Sequence, residues 1–252
     1  MEEKLLFAKN ISKSYAGVQA LDSVSISIKK GEIHCLVGEN GSGKSTLVKI
    51  IAGVISPDEG EIIINGHSYE HLHAIDSIKA GIQVIYQNLS LFPTLTVAEN
   101  ISLNQMVEKG RKFINWKEIK KTAITELAKV NVRLNVDELV ENLSMANKQT
   151  VAIVRALTQD AKLIIMDEPT STLTKKEIDS LFSIILHLKQ KCLSILFISH
   201  KINEILEISD KVTVIRDGKK VGDYDAAELD LSLIHISEPT RPLYISYAVF
   251  CL

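Results

Sequence analysis

The stretch Gly38–Thr46, GENGSGKST, is where residue types and spacing first suggest chemistry in this 252-residue chain. Its pattern, G-x-x-x-x-G-K-[ST], suits a loop that cradles phosphate. Gly38, Gly41 and Gly43 let the backbone wrap tightly without Cβ clashes. Successive N–H groups, those of Asn40, Ser42 and Thr46 among them, then point inward. Lys44 would meet the β- and γ-phosphates, and Ser45 would bind Mg2+. A merely glycine-rich turn is the alternative, and the strand and helix that flank the loop disfavour it. Asp167 and Glu168 end the run LIIMDE. Two adjacent acids just past a buried run are costly unless they meet a cation or a solvated cleft. Asp167 suits Mg2+ binding through water, and Glu168 suits orienting or deprotonating an attacking water. A solvated strand end is the plainer reading of the same pair. His200 closes FISH at the carboxyl edge of a strand, where parallel sheets bind ligands, so contact with a γ-phosphate is expected. A lone His is otherwise more often structural. Gln87 in VIYQN has an amide able to reach both metal and water, or is simply solvated. Tyr15 in SKSYAGVQAL suits stacking on an adenine face and equally suits the core.

These residues need a frame that brings them together. EIHCLVG is a short apolar run before the loop, and TLVKIIAGV after it has helical spacing. GEIIINGHSY places Asn65-Gly66 between strand-like residues, a hairpin signal. Residues 117–130 put Ile119, Ala123, Ile124, Leu127 and Val130 on one helical face. AKLIIMDE and SILFISH read as buried strands, and KVTVIRDGKKVGDY as strand, Asp-Gly turn, strand. Thr174 and Glu177 form a T-x-x-E capping box ahead of Ile178, Leu181, Phe182, Ile185 and Leu188. Strands alternating with helices argue an α/β fold with a largely parallel sheet. Residues from about 90 to 158 lack strong strand signals and look like a helical insertion.

Apolar residues make up 46% and charged residues 24%, the balance of a globular protein. The formal charge of −2 gives no electrostatic reason to expect nucleic acid as the main partner. MEEKLLFAKN lacks the basic start and apolar run of a secretory signal, and no apolar stretch approaches the ~20 residues that cross a bilayer. Cys35, Cys192 and Cys251 are too scattered for a disulfide framework or a zinc site and read as buried, reduced thiols.

On these residues the chain resembles the ATP-binding cassette (ABC) ATPases over residues 4–225. GENGSGKST looks like the family's P-loop, Gln87 its Q-loop, and LIIMDEPT its Walker B strand with the catalytic Glu168. STLT (171–174) looks like the D-loop, His200 the switch histidine and Tyr15 the adenine-stacking aromatic. The resemblance implies an ABC-type P-loop NTPase with a mostly parallel core sheet, an antiparallel β subdomain and a helical signature subdomain. It implies ATP and Mg2+ as cofactors, with Lys44, Gln87, Glu168 and His200 catalytic and Ser45, Gln87 and Asp167 at the metal. The segment corresponding to Leu143–Asn147, in NLSMANKQTVAIVRAL, is the family's signature, nominally L-S-G-G-Q. It contacts the γ-phosphate held by the opposite cassette. Ser144 would give its hydroxyl and Ala146 its backbone N–H, both in trans, with the helix dipole adding to each. Met145 and Ala146 stand where that pattern has glycines, Met145 and Asn147 depart from it further, and a Ser-capped helix unrelated to nucleotide is the alternative.

Finer likeness, in LFPTLTVAENISL, INWKEI and VTVIRDGK, is to the first cassette of two-cassette monosaccharide importers of ribose, galactose or xylose type. It implies a peripheral ATPase at the cytoplasmic face of the membrane that energises sugar import. The partners implied are a second cassette (in a longer chain or a homodimer), membrane permease subunits and, indirectly, an extracytoplasmic sugar-binding protein, with no nucleic acid. A soluble tandem-cassette factor acting on ribosomes or nucleic acid, or an importer ATPase for a non-sugar cargo, is the alternative. LSLIHISEPTRPLYISYAVFCL (231–252) resembles the translated read-through of a sequencing-library adapter. One ABC ATPase domain over 1–230 is therefore expected, with the family's second cassette missing and little or no turnover by the fragment alone.

Overall fold

The strands that carry the site are apolar on both faces, as strands covered on both sides of a sheet must be. The computed structural model describes residues 4–108 and 115–228; the adapter-like tail, 231–252, lies outside the described residues. In chain order the elements are β1 (Lys4–Tyr15), β2 (Val18–Lys29), β3 (Ile33–Val37), α1 (Lys44–Ile51), β4 (Glu59–Ile64), β5 (His67–Tyr69), α2 (Ala74–Lys79), β6 (Ile82–Ile85) and α3 (Val97–Glu108). Then follow α4 (Trp116–Lys129), α5 (Met145–Leu157), β7 (Leu163–Asp167), α6 (Lys175–Gln190), β8 (Ser194–Ile198), α7 (Ile202–Ile208), β9 (Lys211–Arg216) and β10 (Lys219–Asp225).

Six strands form one sheet in the order β10-β9-β3-β8-β7-β6. All its pairings are parallel except that of β10 with β9. Alternation along the strands divides the core in two. Ile33, Cys35, Val37, Ile164, Met166, Ile195 and Phe197 join the apolar faces of α3 to α6. Leu36, Leu163, Ile165, Leu196 and Ile198 face α1 and the second sheet, antiparallel in the order β2-β1-β4-β5. The β4–β5 turn has positive φ at both Asn65 (50°) and Gly66 (81°), the geometry that an Asn-Gly hairpin favours.

Because β3, β6, β7 and β8 run parallel, their carboxyl ends share one edge. Asp167 sits opposite Ile198, and Leu36 opposite Ile198 on its other side. The glycine-rich loop, Gln87, Glu168 and His200 all leave the sheet there.

The expected α/β architecture is the observed one. The capping box at Thr174 and Glu177 is present, with Ile178, Leu181, Phe182, Ile185 and Leu188 buried behind it. On α4, however, Ile124 is 56% exposed while Ile119, Ala123, Leu127 and Val130 are buried. It stands about 100° around the helix from Ala123, at the edge of a stripe that only its neighbours turn inward. Cys35 is buried, and burial pushes its thiol up to about 12. Cys192 is exposed in the left-handed turn after α6 (φ 61°), which corrects its reading as a buried thiol. Among the described residues no helix is long and apolar enough to cross a membrane.

Phe197 of β8 meets Phe182 of α6 edge-to-face, with ring centroids 6.0 Å apart, and both are buried. Phe197→Ala is expected to lower unfolding free energy by about 3–5 kcal/mol in urea titration. A loss below about 1 kcal/mol would contradict this account of the core.

Candidate functional site

The loop after β3 passes through a gap that admits no side chain at two points. A Cβ at Gly38 would lie 2.2 Å from the Ile215 carbonyl oxygen of β9. One at Gly43 would lie 2.4 Å from the Ala20 carbonyl oxygen of β2, and Gly43 also has φ 102°. Gly43 precedes α1, whose first turn has neither a side-chain cap nor an acidic residue. The free N–H groups and the positive end of the helix dipole are therefore open to an anion. Lys44 curls back over the loop, and its Nζ donates to the carbonyls of Gly38 (2.7 Å) and Glu39 (2.8 Å). Burial lowers its pKa, while Glu168, Asp167 and Glu39 pull it back upward.

Across from the loop stand the acids at the end of β7. Asn40, Gly41, Gly43, Lys44, Ser45, Thr46, Gln87, Asp167 and Glu168, with Ala20, line one cleft of about 400 Å³. Burial raises the pKa of Asp167, the Glu168 charge adds to that, and Lys44 and Lys49 oppose it. Glu168 has a left-handed backbone (φ 47°), a conformation costing about 1–2 kcal/mol for a non-glycine residue. Its N–H donates to Ile198 O (3.1 Å), its carbonyl accepts from Ser171 N–H (3.3 Å), and Oε1 lies 3.1 Å from His200 Nδ1. The Ser45 hydroxyl, the Gln87 amide oxygen and the Asp167 carboxylate put oxygen donors on one cleft. That chemistry fits a hard divalent cation. Among the described residues no cluster of three His, Cys, Asp or Glu gathers. Few protein ligands suit Mg2+, which keeps waters and takes phosphate oxygens.

Other expected residues lie elsewhere. Gly38 is buried beneath the loop, and Ser42 is 3% exposed with its Oγ unpartnered among the described residues. Tyr15 is 43% exposed at the end of β1, with Lys13 Nζ 5.8 Å from its ring, so it is not a core aromatic. Ser144 and Ala146 are not among the residues lining the cleft. Ser144 caps α5, its Oγ accepting from Asn147 N–H (3.3 Å). A capping serine uses a lone pair and keeps its O–H proton, so capping and donation to an anion are compatible.

Beneath the edge that carries Glu168 and His200 lies a buried network that sequence reasoning missed. Glu204 Oε2 accepts from Thr170 Oγ1 (2.6 Å) and Ser199 Oγ (3.1 Å), tying the exits of β7 and β8 together. Lys201 pairs with Glu204 Oε1 (3.1 Å) and donates to Thr170 O (3.1 Å). Gln149 of α5 donates to Pro169 O (3.0 Å). The available signal was a carboxylate on the buried side of α7, shortly after His200.

The sequence pattern of the ABC transporter family matches residues 21–171. The ribose import ATP-binding protein RbsA of Hahella chejuensis is 41% identical over 225 residues, 89% of this chain and 45% of that protein. The xylose import ATP-binding protein XylG of Thermoanaerobacter pseudethanolicus is 43% identical over 88% of this chain and 44% of its own length. The D-allose import ATP-binding protein AlsA of Escherichia coli is 45% identical over 84% and 42%. The chain thus spans less than half the length of these relatives. Among solved structures, the ADP conformation of MJ1267, an ATP-binding cassette of an ABC transporter, matches with a TM-score of 0.80 at 27% identity, over 93% of this chain and 99% of that one. A match running from β2, across the glycine-rich loop and past Glu168, on a fold shared with such cassettes, shows that this chain belongs to the ABC transporter family.

Proposed function

We propose that this chain is an ATP-binding and ATP-hydrolysing cassette that energises import of a monosaccharide through a membrane permease. The observation that carries the ATPase reading is the single cleft onto which the loop, Gln87, Asp167 and Glu168 converge, with His200 bonded to Glu168. The names of the relatives, importers of ribose, xylose and allose, support the sugar class.

In this reading the loop amides and the start of α1 hold the triphosphate, and Lys44 lends its ammonium to the β- and γ-phosphates. Mg2+, held by Ser45, Gln87 and Asp167, supplies charge neutralisation when bound. The Glu168 carboxylate orients the attacking water and takes its proton, while His200 fixes the carboxylate and stands toward the γ-phosphate. Tyr15, exposed at the end of β1, is the adenine-stacking face. Gly38 and Ser42 shape the loop from below. Ser144 and Ala146 serve the nucleotide of a second cassette, and this chain's own nucleotide needs the signature of that partner. The cassette occupies residues 1–230, with a helical subdomain over about 90–158 that meets the permease with Gln87 at the cytoplasmic face. Residues 231–252 are adapter-derived and carry no function.

Lys44→Ala is expected to weaken ATP binding at least about tenfold by calorimetry, and unchanged affinity would remove the basis of the proposal. Glu168→Gln is expected to keep that affinity and lose about 10²-fold of whatever turnover the chain shows. For Asp167, whose folded pKa is raised, the ionised carboxylate is a liability to the fold at neutral pH. That penalty fades as pH falls through the raised value toward the ordinary carboxylate range. Asp167→Asn is therefore expected to raise the melting temperature at pH 7, to lose that advantage in acid, and to bind nucleotide without benefit from Mg2+. A melting temperature lowered at pH 7 would contradict the burial argument.

A further inference from the structure

Arg155 lies in the last turn of α5, the helix that starts at Ser144. Its guanidinium reaches another element: Nη1 donates to Ser90 O (2.7 Å) and Nη2 to Leu89 O (3.1 Å). These two carbonyls follow closely after Gln87. Both residues are left-handed, Leu89 with φ 54° and Ser90 with φ 49°. Successive non-glycine residues hold that conformation only where the surroundings enforce it. Leu89 N–H closes a turn onto Tyr86 O (2.8 Å), and the Leu89 side chain is buried in the helix-side core. Farther along, the fully buried Asn100 of α3 accepts from Phe92 N–H (2.9 Å) and donates to Phe92 O (3.0 Å). The segment is therefore held at its far end by α3 and at its middle by α5.

Among the described residues no carboxylate pairs with Arg155, and burial lowers its pKa. A planar fork across two successive carbonyls fixes both the place and the direction of those peptides, which a single-point ammonium cannot do. We propose that Arg155 is a positioning residue for Gln87: by pinning the Leu89 and Ser90 carbonyls to α5, it holds the Gln87 amide at the metal side of the cleft. The proposal rests on the reading of Gln87 as a metal-side ligand. It also makes α5 a lever. Ser144 and Arg155 sit about 17 Å apart along one helix, so a shift at the signature end moves the loop of Gln87.

Calorimetric titration of AMP-PNP into this chain, once with Mg2+ and once with EDTA, reads the gain in affinity that the cation brings. Arg155→Ala is expected to cut that gain about tenfold, the scale on which residues that orient a metal ligand act. Affinity in EDTA is expected to stay unchanged, because the phosphate loop is untouched. Arg155→Lys, which keeps the charge without the fork, is expected to fall between Arg155→Ala and the parent chain. Gln87→Ala separates the two claims. If it abolishes the gain while Arg155→Ala keeps it, the positioning role is overturned. If Gln87→Ala itself keeps the gain, the reading of Gln87 fails, and the proposal with it. Equal loss with and without Mg2+ in both Arg155 variants would mark general damage to the fold and would also overturn the proposal.

Discussion

A methyl group at Gly38 or at Gly43 would collide with a backbone carbonyl, of Ile215 in the first case and of Ala20 in the second. The loop threads between β9 and β2 only because neither residue has a Cβ. That constraint decides where α1 begins, how its bare N–H groups face outward and where Lys44 can fold. The loop follows β3, which pairs with β9, so Ile215 walls it on one side, and Ala20 of β2, from the second sheet, walls it on the other.

The opposite side of the cleft is held by other means. Asp167 is half-buried against its own charge preference, and Glu168 keeps a left-handed backbone. Neither feature favours the fold by itself. Both are kept in place by bonds beneath them: Glu168 N–H to Ile198 O, and the shared acceptor Glu204 between Thr170 and Ser199. Buried hydroxyls aimed at a buried carboxylate are costly unless fully satisfied, and here each hydroxyl has its acceptor. The exits of β7 and β8, which carry Glu168 and His200, are thus tied to each other by a polar network beneath them.

What the sequence made legible was local. The loop spacing, the capping box at Thr174 and Glu177, and the Asn65-Gly66 turn are written in residues a few positions apart, and the structure has all three. The strands around Cys35, Ile165 and Leu196 were legible because a strand covered on both faces has no polar alternation to hide it. Contacts across the chain were not. Arg155 meets carbonyls 65 and 66 positions away, and Thr170 meets Glu204 across 34. The left-handed turn at Leu89 and Ser90 carries no glycine to announce it. Exposure at Ile124, Cys192 and Tyr15 depends on where neighbouring elements stop, which spacing along one element does not contain.

The helix start at Ser144 is set by a single side chain. Its oxygen accepts from Asn147 N–H, which sets the first turn of α5, and a hydroxyl that accepts in this way keeps its own proton to donate. Met145, 39% exposed at the first helical position, and Ala146 leave the backbone N–H groups of that first turn in place. The other end of the same helix grips the segment after Gln87, and its middle reaches Pro169 beside Glu168 through Gln149. If Ser144 answers to the nucleotide of a second cassette, then α5 links that distant site to both walls of this chain's own cleft. Such a link would act through three side-chain contacts of one rigid helix rather than through any rearrangement of the sheet.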